Sequence, residues 1–259
     1  FRRVYFKYPD AFDWESRCDV PSMLTPEMEL KREEKEKDFE EKKKKKEAER
    51  KKGALKAFLE LHIEQGPVLE KTNVTIGAVT GVQGISWQEV TIIGQSNHAG
   101  TTPMSMRKDP SYVAAKIAVF LRDLADRYGG HQVCTVGKVD LFPNLINVIP
   151  AKAVMTLDVR NTDERTLKKA EKEIADFIST LSQSESVEIS TRYLARFEPV
   201  VFHPQVIDIV ERLSASHAPS VVRMPSGAGH DAQMFARVCP SAMVFVPSVE
   251  GISHNPSEF

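Results

Sequence analysis

The segment 59–69, with the sequence LELHIEQGPVL, constrains the fold of this chain most strongly. Its apolar residues alternate with Glu60, His62 and Glu64, which is the period of a β-strand with one apolar and one polar face. A Gln-Gly-Pro sequence then interrupts the strand, and proline suits the first turn of a helix. The polar side chains are therefore expected at the carboxyl end of a strand, where open α/β sheets bind ligands. The solvated face of an antiparallel sheet is an equally acceptable interpretation of this segment alone.

The composition is that of a globular protein and limits the possible partners. The chain has 259 residues, which suggests one or two domains, and 41% of them are hydrophobic and 27% charged. Its formal net charge of -1 gives no general attraction to nucleic acids or anionic membranes. We therefore predict neither a nucleic-acid partner nor a membrane partner.

Cysteine usage and hydropathy favour a reducing, cytoplasmic location. The three cysteines, Cys18, Cys134 and Cys239, are widely spaced and contain no CxxC pair, so neither a disulfide framework nor a thiolate zinc cluster is indicated. No apolar run approaches the roughly 20 residues needed to span a bilayer. The first residues also lack the apolar core of a signal peptide.

Residues 1–53 are left unassigned. The first 26 show no period, and residues 31–52 are almost all charged with no apolar stripe, which predicts a solvated helix or a disordered linker. The lysine block at 42–46 has an alternative interpretation as a nuclear-localisation or nucleic-acid patch. We do not favour it, because interleaved glutamates cancel most of the local charge.

The order of predicted elements from about residue 89 to 194 is strand, helix, strand, strand, helix, strand. Amphipathic periodicity predicts the helices at 109–128 and 163–181, and the strands between them at 132–141 and 147–159. Residues 77–94 are predicted to be a linker that runs into the first strand. This order matches the split ferredoxin-like unit, which is plausible as an insert.

The residues on either side of this unit predict a second, discontinuous domain. After a short helix at 204–214, a strand at 220–224, a helix at 231–237 and a strand at 242–247 alternate as in a parallel sheet with crossovers. The fold class is therefore α/β. One α/β domain comprises residues 54–80 and 204–259, and an α+β insert comprises residues 81–203.

Four of the seven histidines lie in loop-edge sequences where function tends to reside. These are His62, His98, His230 and His254. The other three, His131, His203 and His217, stand singly in turn or surface contexts, and we interpret them as structural. A lone histidine in a glycine-containing loop, as in SNHAGTTP, is more often a hydrogen-bonded loop residue than a catalytic one.

Two further features could bind an anion. The run SGAGHDAQ at 226–233 follows a strand and opens a helix, so its backbone N–H groups suit an anionic ligand, although its spacing is not that of a nucleotide-binding loop. Arg160 ends a predicted strand, where a guanidinium can clamp a carboxylate bidentately. An ordinary ion pair of Arg160 with Asp158 or Asp163 is equally consistent with the sequence.

Taken together, five segments resemble the binuclear-metal amidohydrolases of the M20 type. They are similar to the branch that contains N-carbamoyl-L-amino-acid hydrolase, allantoate amidohydrolase and microbial β-ureidopropionase. The segments occur in family order and are LELHIEQGPVLE (59–70), GVQGISWQEVTIIGQSNHAGTTPM (81–104), FPNLINVIPAKAVMTLDVRN (142–161), SGAGHDAQMFA (226–236) and GISHNPSE (251–258).

The resemblance implies a fold, a site and partners. The fold would be a partial catalytic α/β domain with an inserted ferredoxin-like lid that also forms a homodimer interface. The implied metal ligands are His62 and His254, and the implied substrate contacts are Gln65, His98, Asn147, Arg160, Gly229 and His230. His98 would reach the partner subunit's active site and stabilise the transition state, and Arg160 would hold the substrate carboxylate. The cofactor would be a divalent metal, Zn or Mn, with two ions in complete family members, and the substrate a ureido or carbamoyl compound with a carboxylate.

The chain also departs from the family pattern. The family supplies a His-x-Asp pair and an adjacent Glu-Glu from an N-terminal part of the catalytic domain. None of the seven histidines here is followed two places later by aspartate, and adjacent glutamates occur only in the charged run. The expected general-base glutamate is thus not in the chain. We predict an incomplete form of a metal-dependent hydrolase of linear C–N amide bonds, or alternatively an inactive homologue that acts as a dimerisation or ligand-binding module.

Overall fold

The computed structural model describes residues 55–253 and 255–256. The predictions for residues 1–53 and for His254 concern residues outside this range. The described part is a mixed α/β structure built on two main sheets, which confirms the predicted fold class.

In chain order the strands are β1 (Phe58–Ile63), β2 (Ile76–Val82), β3 (Gly84–Ile93), β4 (Asn97–His98), β5 (Val133–Phe142), β6 (Val148–Ile149), β7 (Lys152–Asn161), β8 (Glu188–Phe197), β9 (Val200–Val201), β10 (Val221–Ser226) and β11 (Ser241–Val246). The helices are α1 (Val68–Lys71), α2 (Pro110–Tyr128), α3 (Glu164–Ser184), α4 (Pro204–His217) and α5 (Asp231–Phe235), with short 3₁₀ turns at Met104–Met106 and Val249–Gly251. Within the described residues, no helix combines the length and apolar character needed to cross a membrane.

The first sheet, here called the mixed sheet, has the order β1-β11-β2-β10, with β9 beside β2. β1 is parallel to β11 and β10 is parallel to β2, but β11 and β2 are antiparallel. The prediction of a parallel sheet is therefore wrong. The reason is the connection after β1: its four-residue helix extends about 6 Å, against about 20 Å for a six-residue strand, so it does not return the chain to the start of the sheet.

Two strand boundaries also differ from the sequence prediction. Residues 77–94 were expected to be a linker leading into one strand, but they lie in β2 and β3, with only Gln83 between the two strands. β2 is almost wholly buried and glycine-rich, so it lacks the polar alternation that identifies a half-exposed strand. The strand predicted at 147–159 is divided into β6 and β7.

The second sheet, here called the antiparallel sheet, has the order β5-β7-β3-β8. Every neighbouring pair in it is antiparallel. The chain order β3-α2-β5-β7-α3-β8 confirms the predicted ferredoxin-like unit, to which the short β4–β6 pair is added. Both helices begin at the aspartates that the amphipathic pattern places there: Asp109 and Asp163 accept hydrogen bonds from backbone N–H groups of the first turns.

Each sheet has its own core. The apolar stripes of α2 and α3 pack on one face of the antiparallel sheet, with Ile117, Leu121, Leu124, Leu167, Ile174, Met155 and Leu157 fully buried there. The mixed sheet is covered by residues of α1, α4 and α5, and its core includes Leu69, Val79, Phe202, Ile207, Ala232, Met243 and Phe245. The cores are those expected from the hydrophobic periodicity of the helices.

The edge strand β1 has its polar side turned inward. Leu59 and Leu61 are 57% and 67% exposed, whereas Glu60 and His62 are half-buried beneath the loop that follows β10. β1 also pairs in parallel with β11. The interpretation of this face as the solvated side of an antiparallel sheet is therefore wrong.

Candidate functional site

The turn after β1 is held by Glu64. Its Oε1 accepts a hydrogen bond from the backbone N–H of Val68 at 2.8 Å, and its Oε2 accepts one from that of Leu69 at 2.7 Å. Two N–H groups at the start of α1 are thereby satisfied. The Glu64 carboxylate therefore braces this turn.

Gln65 occupies a conformation that few residues adopt. Its φ is 58°, in the left-handed region, and its backbone N–H donates to Ser248 Oγ at 2.9 Å. Strained backbone of this kind is concentrated at functional sites. The turn places Gln65 in the wall of a cleft.

This cleft has a volume of about 880 Å³, within the range of small-molecule sites. It lies between the turn after β1, one end of the antiparallel sheet, and β10 with its following loop. Its lining includes Glu64, Gln65, Gln83, His131, Arg160, Gly227, Ala228 and Ser253. Two predicted substrate contacts, Gln65 and Arg160, are therefore brought together although 95 positions separate them.

Arg160 connects the antiparallel sheet to the loop after β10. Its Nε and Nη2 donate to the two carboxylate oxygens of Asp158 at 2.8 and 2.6 Å, and its Nη1 donates to the carbonyl oxygen of Gly227 at 2.5 Å. Its guanidinium also lies 5.9 Å from the centre of the Trp87 ring. The ion pair with Asp158 is confirmed, and the one with Asp163 is wrong, because Asp163 caps α3.

The guanidinium of Arg160 keeps donors for a ligand. Of its five N–H groups, three are engaged, which leaves one on each terminal nitrogen. The main chain of Arg160 is fixed as well, since Gln132 Nε2 donates to its carbonyl oxygen at 3.1 Å and Asn161 Nδ2 donates to Gln132 Oε1 at 2.9 Å. Both amide side chains are buried. Arg160 is thus a preorganised cation at the rim of the cleft.

His131 is a cleft residue that the sequence interpretation missed. We interpreted it as structural, but it lines the cleft, and its backbone carbonyl accepts a hydrogen bond from Gln83 Nε2 at 3.1 Å. Its imidazole makes no hydrogen bond within the described part of the chain. Its place near the cleft follows from its position just before β5, because the first residue of β5, Val133, lies opposite Arg160 in the sheet.

His62 and His230 form a pair of imidazoles behind the cleft. Their ring centres are 4.7 Å apart. His62 Nδ1 lies 2.8 Å from the carbonyl oxygen of Ile63, which can only accept, so Nδ1 carries the proton and the lone pair of Nε2 is available. His230 Nε2 lies 2.8 Å from Ser226 Oγ. The orientation of His62 is the one that a metal-ligating histidine adopts.

The surroundings of His230 keep its imidazole neutral. Burial, followed by the proximity of His62, lowers the pKa of His230 to about 4, and its side chain is only 2% exposed. Burial also raises the pKa of Glu60, against the hydrogen bond that its Oε2 accepts from the Ala232 N–H at 2.7 Å. Glu60 Oε1 is 3.8 Å from His230 Nδ1. Because His230 is neutral at pH 7, this contact is not an ion pair.

The described residues do not by themselves form a metal site. Among residues 55–253 and 255–256, no group of three or more His, Cys, Asp or Glu side chains is arranged to hold a metal ion. His62 has the chemistry of a ligand, but His254 lies outside the described residues. Zinc sites usually have three or four protein ligands, which is more than the described residues bring together.

The remaining predicted residues lie at two other places. His98 and Asn147 are neighbours, since the backbone N–H of Ala99 donates to the Asn147 carbonyl at 2.9 Å, but neither lines the cleft. Gly229 and His230 directly follow the lining residues Gly227 and Ala228 without lining the cleft themselves. The structure therefore separates the predicted substrate contacts into three groups: Gln65 and Arg160 in the cleft, Gly229 and His230 beside it, and a loop group made up of His98 and Asn147.

Comparison with known proteins gives consistent matches. The model of the peptidase family M20/M25/M40 matches residues 32–259. An N-carbamoyl-L-amino acid amidohydrolase from Geobacillus stearothermophilus is 40% identical over 210 residues, which are 81% of this chain and 51% of that protein. An allantoate amidohydrolase from Escherichia coli (strain K12) is 40% identical over 204 residues, 79% of this chain and 50% of that protein.

Solved structures with the same fold include two informative relatives. An amidase of the hydantoinase/carbamoylase family from Burkholderia multivorans has a TM-score of 0.77 and 37% identity, covering 79% of this chain and 50% of that one. The structure of AtUAH in complex with glyoxylate has a TM-score of 0.70 and 32% identity, again over 79% and 50% of the two chains. This chain thus spans about half the length of the relatives that it matches.

Proposed function

Because this chain belongs to the M20/M25/M40 peptidase family, we propose that it carries the substrate-recognising part of a metal-dependent hydrolase of linear C–N amide bonds. The proposed substrates are N-carbamoyl amino acids or allantoate-like ureido compounds. The names of the relatives support this class. The observation that carries the proposal is the preorganised Arg160 in the same cleft as Gln65.

Arg160 is the proposed carboxylate clamp. Asp158 fixes the guanidinium plane, so the two remaining N–H groups of Arg160 are presented without loss of side-chain freedom on binding. Ion-paired hydrogen bonds to a carboxylate are among the stronger polar contacts in proteins. The amides of Gln65 and Gln83 in the cleft wall offer both donors and acceptors to a ureido group.

The loop group is proposed to serve a second copy of the chain. His98 and Asn147 are substrate contacts in the resemblance, yet neither lines the cleft of its own chain. A homodimer formed through the antiparallel-sheet unit, acting as lid, would explain that separation if His98 reached the partner's cleft. There it would donate a hydrogen bond to the developing charge of the transition state.

A divalent metal, Zn or Mn, is the proposed cofactor, with His62 and His254 as ligands and with substrate contacts from Gly229 and His230. The exposed lone pair of His62 Nε2 supports its part in this assignment. Two imidazoles are fewer than the usual three or four zinc ligands. We therefore expect this chain alone to bind the metal weakly.

The proposed location is the reducing cytoplasm. Cys134 and Cys239 are free thiols, and burial raises the pKa of Cys134 to about 11, which keeps it unreactive. Stable free thiols suit a compartment in which disulfides do not form.

The second candidate function is an inactive dimerisation or ligand-binding module. It is favoured by the absence of a His-x-Asp pair anywhere in the chain, together with an intact ferredoxin-like unit. The two candidates share the cleft and differ in whether a complete form of the protein, with the missing ligands supplied, hydrolyses the substrate. We expect negligible hydrolysis of N-carbamoyl amino acids and allantoate by these 259 residues with added Mn²⁺ or Zn²⁺.

Isothermal titration of the chain with an N-carbamoyl-L-amino acid tests the proposal. The same compound with its carboxylate converted to an amide should bind much more weakly. Arg160→Ala should weaken binding of the carboxylate form about 10- to 100-fold, which is the loss of affinity expected when a charge-assisted hydrogen bond is removed. Arg192→Ala is the matched control, because Arg192 also pairs with a strand carboxylate, Glu89, but does not line the cleft.

The outcomes are distinct. Equal affinity of the wild type and Arg160→Ala, or of the carboxylate and amide ligands, would contradict the clamp. Recovery of the ligand unchanged after incubation with metal agrees with our expectation for the isolated chain. Robust metal-dependent hydrolysis would refute that expectation and would exclude the inactive-module alternative.

A further inference from the structure

The loop between β4 and α2 is organised around one guanidinium. Arg107 is half-buried, and its Nε donates to the carbonyl oxygen of Thr102 at 3.1 Å while its Nη2 donates to that of Ala99 at 2.6 Å. A planar guanidinium can reach two carbonyls at fixed angles, which a single ammonium cannot do. The loop from 99 to 102 is thus closed by Arg107.

The same loop determines which nitrogen of His98 carries the proton. The backbone N–H of Gly100 donates to His98 Nδ1 at 3.0 Å, and Thr102 Oγ1 donates to the His98 carbonyl at 2.7 Å. A ring nitrogen that accepts from a backbone N–H is not protonated. The neutral ring of His98 therefore carries its proton on Nε2 and presents a donor to solvent.

Arg107 also connects His98 to Asn147. The residue whose carbonyl it holds, Ala99, donates its own N–H to the Asn147 carbonyl at 2.9 Å. β4 and β6 pair next to this contact, with His98 opposite Val148. Both residues of the loop group are therefore attached to the turn that Arg107 closes.

We propose that Arg107 is a positioning residue, whose guanidinium holds the turn 99–102 so that His98 is fixed as an Nε2–H donor beside Asn147. The use of that donor on a substrate rests on the proposed function. The bonds of Arg107 and the tautomer of His98 are properties of this chain alone. They can therefore be tested without turnover and without a second protein.

The first measurement is the ring tautomer of His98 in the wild-type chain. Long-range ¹H–¹⁵N NMR of histidine-labelled protein, at about pH 8 where histidine rings are generally neutral, distinguishes the protonated from the unprotonated nitrogen. The expected spectrum has an unprotonated Nδ1 and a protonated Nε2 in a single tautomer. A protonated Nδ1, or an even mixture of tautomers, would overturn the proposal whatever the variants do.

The second measurement is the same spectrum for Arg107→Ala. Without the guanidinium, the turn is free to open, the Gly100 bond is lost, and the shifts of the two His98 nitrogens should converge as the ring samples both tautomers. Lys108→Ala is the matched control, because Lys108 is the neighbouring cation, is exposed, and makes no side-chain hydrogen bond or ion pair with the described part of the chain. Its His98 spectrum should be that of the wild type.

Two further variants separate positioning from folding. Arg107→Lys keeps the charge but loses the planar fork that holds two carbonyls at fixed angles, so it should show a smaller convergence of the two shifts than Arg107→Ala. Gly100→Ala leaves Arg107 intact, but its added Cβ would lie 3.2 Å from His98 Cε1, so it should disturb the ring. Circular dichroism reports whether each variant is folded.

A wild-type tautomer spectrum in any folded Arg107 variant would overturn the positioning role. If Arg107→Ala does not fold, the comparison of Arg107→Lys with Lys108→Ala decides the question. A chain with the expected tautomer that binds no N-carbamoyl amino acid would refute the proposed function and leave the role of Arg107 standing.

Discussion

Arg160 illustrates how one side chain can serve both fold and site. Its bonds to Asp158 belong to the antiparallel sheet, whereas its bond to the Gly227 carbonyl crosses to the loop after β10. A ligand carboxylate would add to this arrangement through the two unused N–H groups. Asp158 therefore orients the guanidinium and also reduces its net charge, which should favour ligands that make directed hydrogen bonds over simple anions.

A second prediction at the residue scale concerns pH. The folded-state pKa of His230, about 4, lies below the ordinary value of 6.5 for the unfolded chain. The unfolded chain therefore binds more protons, and stability falls as the pH drops from about 6.5 to 4. At pH 5 the loss relative to pH 7 is about 2 kcal/mol from this residue.

Urea unfolding at pH 7, 6 and 5 measures this effect. His230→Gln should flatten the pH dependence of the unfolding free energy, because it removes the titrating group. Gln205→Ala, a change of an exposed residue without a titrating group near the start of α4, should leave the pH dependence as it is in the wild type. If folded His230→Gln keeps the pH dependence of the wild type, the loss of stability at low pH does not come from His230.

At the scale of elements, two loops carry an exposed apolar surface. Met104 and Met106 lie in one loop and Leu145 and Ile146 in the other, and all four are largely exposed. The β4–β6 pair joins these loops next to His98. Clustered exposed apolar residues are typical of interaction sites, which supports a contact with a second copy of the chain through this unit.

Light scattering after gel filtration tests that contact. We expect a dimer for the wild type and a shift to monomer for Ile146→Asp, because a charge is costly to bury in an apolar interface. Leu213→Asp is the control, since Leu213 is an exposed apolar residue on α4, outside the antiparallel-sheet unit. A wild-type chain that is strictly monomeric at high concentration would contradict the dimer.

The sequence alone predicts those helices and strands that carry a local hydrophobic pattern. Helices α2 and α3 carry their apolar stripes at helical spacing and begin at capping aspartates, so both were predicted to within a few residues. β2 was missed because a buried, glycine-rich strand has no alternation. The antiparallel placement of β11 against β2 depends on which strands become neighbours, and no local pattern records that.

The same difference between local sequence patterns and long-range contacts applies to the candidate site. Gln65 and Arg160, which the family resemblance implies as substrate contacts, both line the cleft. The contact of Arg160 with Gly227 and the buried amide of Gln132 behind it join residues far apart in the chain, so they appear only in the fold. His131 was missed because its role comes from its neighbours in the sheet, while its own sequence context is an ordinary turn.

At the scale of the whole molecule, Arg160 and the strained Gln65 line one cleft. The mixed sheet contributes Gln65 and the antiparallel sheet contributes Arg160. Because the chain spans about half the length of its relatives, ligand binding by this cleft is the part of the proposed function that we expect to be testable on this chain alone.

The most direct test of this account is to map ligand-induced ¹H–¹⁵N shift changes during titration of the chain with an N-carbamoyl-L-amino acid. The account predicts saturable changes centred on the side chains of Gln65, Gln83 and Arg160 and on the backbone of Gly227. Saturable changes confined to other surfaces, or none at concentrations that saturate related enzymes, would contradict it.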